Sequence, residues 1–251
     1  MTARPYFSPD YVTARRRFRE ALVSCGGRLD SLELSAKGPH GEDLAIDIGW
    51  FGSIRPRRVL VHSSGLHGVE AFAGSAIQLQ WLAEGIRPHP EDSAIIHLHV
   101  INPYGMAWLR RFNENNVDLN RNFLAAAGSF AGAPEGYQAL DEFLNPATPP
   151  FRDLFYLRAV WLVARHGMPA LRQAVAGGQH INPKGLFFGG AHLEQGPAKL
   201  QEYMAEHLAG VERIVAVDVH TGLGRFGNDR MLVDAAPERT VVNRSMRTVF
   251  G

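Results

Sequence analysis

The sequence predicts an α/β fold in which helices cover both faces of a mixed, mostly parallel sheet. The chain has 251 residues, of which 45% are hydrophobic, and this is enough to bury one large core. Short β-branched runs alternate with segments whose apolar residues recur at helical spacing, and this β-α-β order favours parallel strands. No linker or internal repeat divides the chain, so we expect a single domain over residues 1–251.

Local signals define the N-terminal elements. A helix is predicted to start near Ser8, which is followed by a proline and an aspartate, and to stop at Gly26. Two strands should follow over residues 32–34 and 44–48, joined by a turn rich in glycine and proline.

The remaining elements alternate between strand and helix. Apolar, β-branched runs predict strands over residues 59–62, 94–101, 213–219 and 231–233. Helical spacing predicts helices over residues 71–82, 137–143, 153–176 and 197–208, with a break at 167–169 in the third. Residues 106–123 are strongly polar and directly follow a core strand, which is hard to explain as an ordinary loop.

The composition excludes several function classes. With 26 basic and 25 acidic residues the formal net charge is +1, so no overall field favours nucleic acid or a membrane surface. The single cysteine, Cys25, cannot form an internal disulfide and is typical of a reducing compartment. The N-terminus lacks the pattern of a signal peptide, and no apolar segment reaches the ~18 residues that span a bilayer. We therefore expect a cytoplasmic protein.

A histidine and a glutamate lie three positions apart where a strand gives way to a helix. His67 and Glu70 could together bind one metal ion, although this pattern alone is weak. Gly65 and Gly68, one on each side of the histidine, would allow other backbone to approach closely at the strand end.

A zinc site of the catalytic type needs three protein ligands and an open position, and two histidines with a glutamate are one standard set. His220 ends a β-branched strand and is the best candidate for the third ligand. His97 and His99 share a face of another strand and compete with it, but both lie inside an apolar run, as does His62. We interpret these three as core residues.

The polar passage offers groups suited to a substrate. Arg121 has a planar fork for a carboxylate, and Asn120 adds a neutral donor beside it. Asp118 could accept a hydrogen bond from the second ring nitrogen of a ligating histidine and so orient it. Arg110 and Arg111 supply a further cation that could stabilise an oxyanion.

The pattern G-x-G-x-x-G at residues 222–227 does not indicate a nucleotide site. In a dinucleotide-binding fold a helix starts inside this motif, and an acidic residue follows about twenty positions later. Here a polar turn and a strand are predicted instead.

In combination, these motifs resemble the zinc carboxypeptidase superfamily, the M14-type metallopeptidases, and most closely its bacterial DUF2817 branch. Several long motifs in the right order carry the resemblance, over residues 6–11, 64–70, 72–76, 102–105, 110–123 and 218–224. The resemblance implies an α/β/α sandwich and a hydrolase that cleaves an amide bond next to a free carboxylate. Small peptides or N-acyl amino acids would be its substrates.

The resemblance implies one zinc ion bound by His67, Glu70 and His220. It implies that Asn120 and Arg121 bind the carboxylate of the substrate and that Asp118 orients His67. Arg111 would stabilise the oxyanion, with Arg110 as the alternative.

The family's general base, a glutamate on a later strand, has no match in this chain. Glu238 is the only glutamate after His220, and it lies in a loop context. We therefore expect the chain to be truncated and to lack the last strands and helix of the fold. Two alternatives stay open: an N-acyl amino acid deacylase, for which residues 185–190 could form a lid, and a metal- or ligand-binding protein without activity.

Overall fold

The computed structural model describes residues 4–88, 91–124, 128–148, 154–222 and 228. Contacts divide the chain into two compact units, Met1–His220 and Thr221–Gly251. All the described helices and strands lie in the first unit. Glu238 and the strand predicted at 231–233 lie outside the described residues.

Five strands form one sheet: β1 (Arg28–Lys37), β2 (Asp43–Gly52), β3 (Arg58–Ser64), β4 (Ser93–His99) and β5 (Arg213–Val219). Their order across the sheet is β1-β2-β4-β3-β5. β3 pairs in parallel with both β4 and β5, whereas β2 pairs antiparallel with β1 and β4. The predicted mixed sheet is confirmed, but its described pairings divide evenly because the β1–β2 hairpin adds to β4 in the antiparallel sense.

The described α-helices are α1 (Tyr11–Ser24), α2 (Ala71–Glu84), α3 (Pro103–Ala107), α4 (Tyr137–Leu144), α5 (Phe155–His166), α6 (Met168–Ala176) and α7 (Gln195–His207). Asp10 caps α1, because its side chain accepts a hydrogen bond from the backbone N–H of Thr13. The break predicted in the long helical region occurs at Gly167, which separates α5 from α6. None of the described helices is long and apolar enough to cross a membrane.

Helices pack on both faces of the sheet. On one face, Phe18 and Leu22 of α1 and Leu82 of α2 form an apolar cluster with Phe51 of β2. On the other face, Leu200 and Tyr203 of α7 join a cluster built on alternate residues of β2, β3 and β4. This explains why every residue of β4 is buried. The α/β/α sandwich is confirmed.

A short helix differs from the sequence prediction. Residues 103–107 form α3, where we expected only a break after the strand. Asn102 caps this helix by accepting a hydrogen bond from Gly105 N at 2.8 Å, and Pro103 occupies its first turn. The helix brings the backbone of Gly105 against Gly68, where a Cβ atom would overlap it. The predicted close approach at Gly68 is therefore present.

Candidate metal centre

Two parallel strands bring the candidate ligands to one edge of the sheet. β3 ends at Ser64, which is paired with Val219 at the end of β5. The chain continues from Ser64 through Gly65, which has a left-handed φ of 68°, to His67 and a 3₁₀ turn that contains Glu70. His220 follows β5 directly.

His67, Glu70 and His220 converge on one point. Each offers one ligand atom, and these atoms all lie within 4.8 Å of one another. Glu70 lies between the two rings: Oε1 is 3.1 Å from His67 Nδ1, and Oε2 is 3.0 Å from His220 Nδ1. His67 and Glu70 are buried, whereas the side chain of His220 is 36% exposed.

Asp118 contacts His67 from the opposite side. Its Oδ1 lies 3.2 Å from His67 Nε2, the ring nitrogen that faces away from Glu70. Asp118 is completely buried, and its Oδ2 accepts hydrogen bonds from Arg111 Nε at 3.2 Å and Nη2 at 3.1 Å. Arg111 Nη1 is also 3.9 Å from Glu70 Oε1. A single buried carboxylate thus holds both the histidine ring and the arginine.

The two neighbouring arginines separate in space. The guanidinium of Arg110 is exposed and donates to Asn116 Oδ1 at 3.4 Å. Its backbone supports the segment between His67 and Glu70, since Arg110 O accepts a hydrogen bond from Val69 N at 3.1 Å. Of the two, Arg111 is the one whose side chain contacts the cluster.

Asn120 and Arg121 follow Asp118 in a 3₁₀ turn, Leu119–Arg121. Asn120 N donates to Asp118 Oδ1 at 3.0 Å, which ties the start of this turn to the cluster. The side chain of Arg121 donates through Nη1 to Asn120 O at 2.8 Å. Asn120 is exposed and Arg121 is half-buried.

The electrostatics of the cluster favour positive charge. Burial lowers the pKa of His67, but its hydrogen bonds to Asp118 and Glu70 outweigh this and leave the pKa raised. Contacts with Asp218 and Glu70 raise the pKa of His220 to about 9. For Asp118, burial raises the pKa, but the contacts with His67 and Arg111 lower it by more, so the pKa is below its usual value.

Two residues at the cluster escaped the sequence prediction. Asp218 Oδ2 lies 2.6 Å from His220 Nε2, and the D-x-H spacing on a strand was a signal that could have revealed it. Phe187 lies over the Arg111 guanidinium, with the ring centroid 5.3 Å from Cζ. Phe187 lies in the segment 185–190, the candidate lid, but no local pattern distinguishes it from its neighbours, because its contact depends on how this loop folds.

That loop, residues 185–190, is hydrogen bonded to the rest of the fold. Phe188 O accepts from Asp118 N at 2.7 Å, and Phe187 O accepts from the N–H of the buried Gln179 at 3.0 Å. Leu186 N donates to Asn145 Oδ1 at 2.8 Å. Phe187 has a left-handed φ of 55°, a conformation that costs energy for a non-glycine residue and persists where neighbours hold it.

A protein-family model matches nearly the whole chain. The model of a protein family described as "Protein of unknown function (DUF2817)" matches residues 7–251. A search of curated proteins found no match.

Several solved structures are similar in fold. Bovine thrombin-activatable fibrinolysis inhibitor, in complex with tick carboxypeptidase inhibitor, is 10% identical with a TM-score of 0.48, over 95% of this chain and 70% of that one. Carboxypeptidase A from Helicoverpa armigera is 16% identical with a TM-score of 0.39, over 90% and 68%. Glutaminyl cyclase from Fimbriiglobus ruber is 13% identical with a TM-score of 0.27, over 36% of this chain and 37% of that one. This chain spans less than half the length of the first structures that it matches.

Proposed function

The chain belongs to the DUF2817 family, as its motifs predicted, and we propose that it is a hydrolase that uses one zinc ion to cleave an amide bond next to a free carboxylate. The observation that carries this proposal is the convergence of His67, Glu70 and His220 within 4.8 Å. Two histidines and one glutamate form a standard ligand set for catalytic zinc, which leaves a coordination position open.

The charges of the cluster fit a divalent cation. Three carboxylates, those of Glu70, Asp118 and Asp218, contact the two histidines, and Arg111 is the cation beside them. With both histidines neutral this group carries two net negative charges, which one Zn²⁺ balances. The Nδ1 atoms of both rings face Glu70, whereas their Nε2 atoms contact aspartates, so the Nδ1 atoms are the ones suited to a metal.

Zinc bound there would lower the pKa of a water molecule and polarise the carbonyl of the substrate. Arg111 would donate hydrogen bonds to the carbonyl oxygen as negative charge develops on it. Its guanidinium is held on one side by Asp118 and on one face by Phe187, while a third of the side chain stays exposed to an incoming substrate.

Asn120 and Arg121 would bind the free carboxylate of the substrate. The pair is tied to the cluster through Asp118, so the distance between carboxylate and reacting carbonyl would be set by one short 3₁₀ turn. A small peptide or an N-acyl amino acid carries a carboxylate at this short distance from its amide bond. A carboxypeptidase-type reaction is our first proposal.

Deacylation of N-acyl amino acids is the second candidate. It is supported by the loop of residues 185–190, whose backbone is tied to Gln179 and Asn145 and whose Phe187 forms an aromatic wall over Arg111. A fixed wall close to the reacting group limits the length of substrate on that side, which suits a short acyl group better than a peptide chain.

The test combines metal analysis with a substrate panel. Purified protein should bind one zinc per chain, and it should hydrolyse peptides or N-acyl amino acids but not their C-terminal amides, which lack the carboxylate. Unchanged zinc content after the His67→Ala substitution would refute the site assignment. Cleavage of dipeptides and longer peptides would support the carboxypeptidase, whereas exclusive cleavage of short acyl groups would support the deacylase.

The adjacent arginines provide a matched control. Arg111→Ala should lower kcat by about 10²- to 10³-fold, as expected for a lost oxyanion donor, whereas Arg110→Ala should change it little. If the protein binds zinc stoichiometrically but hydrolyses no member of the panel, the activity proposal fails and the reading as a metal-binding protein without catalysis replaces it.

A further inference from the structure

His220 is held from two sides, and only one of them is a candidate ligand. Its Nδ1 faces Glu70 Oε2 at 3.0 Å, and its Nε2 lies 2.6 Å from Asp218 Oδ2, an ion-pair contact that is not aligned as a hydrogen bond. Asp218 precedes His220 by two positions, so both side chains emerge on the same side of the strand.

The neighbouring strand fixes Asp218 in turn. Ser63 Oγ donates to Asp218 Oδ1 at 2.6 Å. The two residues are direct partners in the parallel register of β3 and β5, so the sheet itself sets this contact. A chain of contacts thus runs from Ser63 through Asp218 to His220 and Glu70.

The arrangement mirrors the one at the other histidine. His67 also turns its Nδ1 to Glu70 and its Nε2 to an aspartate, Asp118, at 3.2 Å. The two rings therefore approach different oxygens of the same glutamate, and each has a carboxylate behind it.

We propose that Asp218 is the positioning residue of His220, and that it orients the ring so that Nδ1 is available to the metal. The inference rests on the zinc centre of the proposed function. A carboxylate beside the second ring nitrogen of a ligating histidine is placed to take up its N–H once the ring binds metal, which fixes the tautomer and the orientation of the ring. The loss of such a carboxylate typically weakens metal binding by about 10- to 100-fold. Ser63 supports Asp218 and acts one step further from the metal.

An ordinary surface ion pair is the competing explanation, since the side chains of His220 and Asp218 are 36% and 27% exposed. Such a pair would contribute little and would not be coupled to metal binding. Asp218 would not be a ligand itself, because it lies at Nε2, on the side of the ring away from the point where the three ligand atoms converge.

Zinc affinity tests the proposal without any need for catalysis. Competition with a chromophoric chelator at pH 7.5 should give a dissociation constant for zinc that is 10- to 100-fold higher in Asp218→Asn than in the wild type. Ser63→Ala should raise it several-fold. Asp92→Asn is the matched control, because Asp92 is 31% exposed, pairs with Arg58 at the opposite end of β3, and should leave the affinity unchanged.

A double-mutant cycle separates positioning from a general loss of structure. In a His220→Ala background, Asp218→Asn should cause no further loss of zinc affinity, because the residue through which it acts is gone. Equal losses in both backgrounds, or wild-type affinity in Asp218→Asn, would overturn the proposal. If the wild type binds no zinc, the metal centre and this inference fail together, whereas zinc binding that ignores Asp218 refutes the inference alone.

Discussion

Acidification from pH 6.0 to pH 5.0 should destabilise the metal-free protein because three histidines are buried in its core. His62, His97 and His99 are 3%, 1% and 0% exposed. Mainly because of burial, their pKa values are lowered to about 4, about 3 and about 4, respectively. In the unfolded chain the same groups have pKa values near 6.5, so they bind protons in this range only after unfolding.

The magnitude follows from proton linkage. A histidine whose folded pKa is lowered contributes stability that is complete above pH 6.5 and is lost as the pH falls towards its folded pKa. Between pH 6.0 and 5.0 this loss is about 1 kcal/mol per histidine and about 3 to 4 kcal/mol for all three. His67 and His220 have raised pKa values, so their contribution is already complete below pH 6.5 and adds little to the slope in this window.

Urea unfolding in the presence of a chelator, at several pH values between 6.0 and 5.0, measures this slope. His99→Gln removes one of the three groups, and glutamine can still bond the hydroxyl of Ser75, which lies 2.9 Å from His99 Nε2. The pH dependence of the free energy of unfolding should fall by about a third, even if the substitution also changes the free energy of unfolding at pH 6.0. His40 is exposed, so His40→Gln should leave the slope unchanged. A wild-type loss below about 1 kcal/mol, or an unchanged slope in His99→Gln, would refute the reasoning.

Three further predictions concern the stability of the fold. Asp47→Ala should lower the free energy of unfolding by about 3 kcal/mol, because the fully buried Asp47 pairs with Arg15 at 2.9 Å. Asp43→Ala is the control: it removes a carboxylate from an exposed pair and should have a much smaller effect, and urea unfolding compares the two variants. Gly68→Ala should cost about 2 kcal/mol and weaken zinc binding, since its Cβ would overlap the backbone of α3; a stable variant with full zinc affinity would contradict this. Leu109→Gly should stabilise the fold by about 1 kcal/mol and so raise the melting temperature, because Leu109 is 67% exposed and has a left-handed φ of 54°, which is unfavourable for leucine. An unchanged melting temperature would mean that the leucine is unstrained.

Much of the candidate centre could be predicted because it depends on strand ends. His67, Glu70 and His220 follow two strands, and the structure makes those strands parallel neighbours, so their carboxyl ends meet. The same reasoning could have predicted Asp218, because the D-x-H spacing puts it on the same face of the strand as His220.

The rest depended on contacts that local patterns do not encode. β1 runs from Arg28 to Lys37, well beyond the predicted 32–34, because pairing with β2 extends a strand through residues of low apolar content. The five-residue helix α3 was missed because its proline and glycine look like a strand break. Phe187 reaches Arg111 only through a loop held by hydrogen bonds from remote side chains.

The parallel pairing of β3 with β5 also has a consequence for the order of folding. Glu70 and His220 are 150 positions apart, so their contact requires a very long loop to close. Such closure costs chain entropy before any new contact compensates for it, which makes pairing of this kind slow. A cation bound by both residues would stabilise that pairing once it forms. The moment at which a refolding chain takes up zinc would therefore report when β5 joins the sheet.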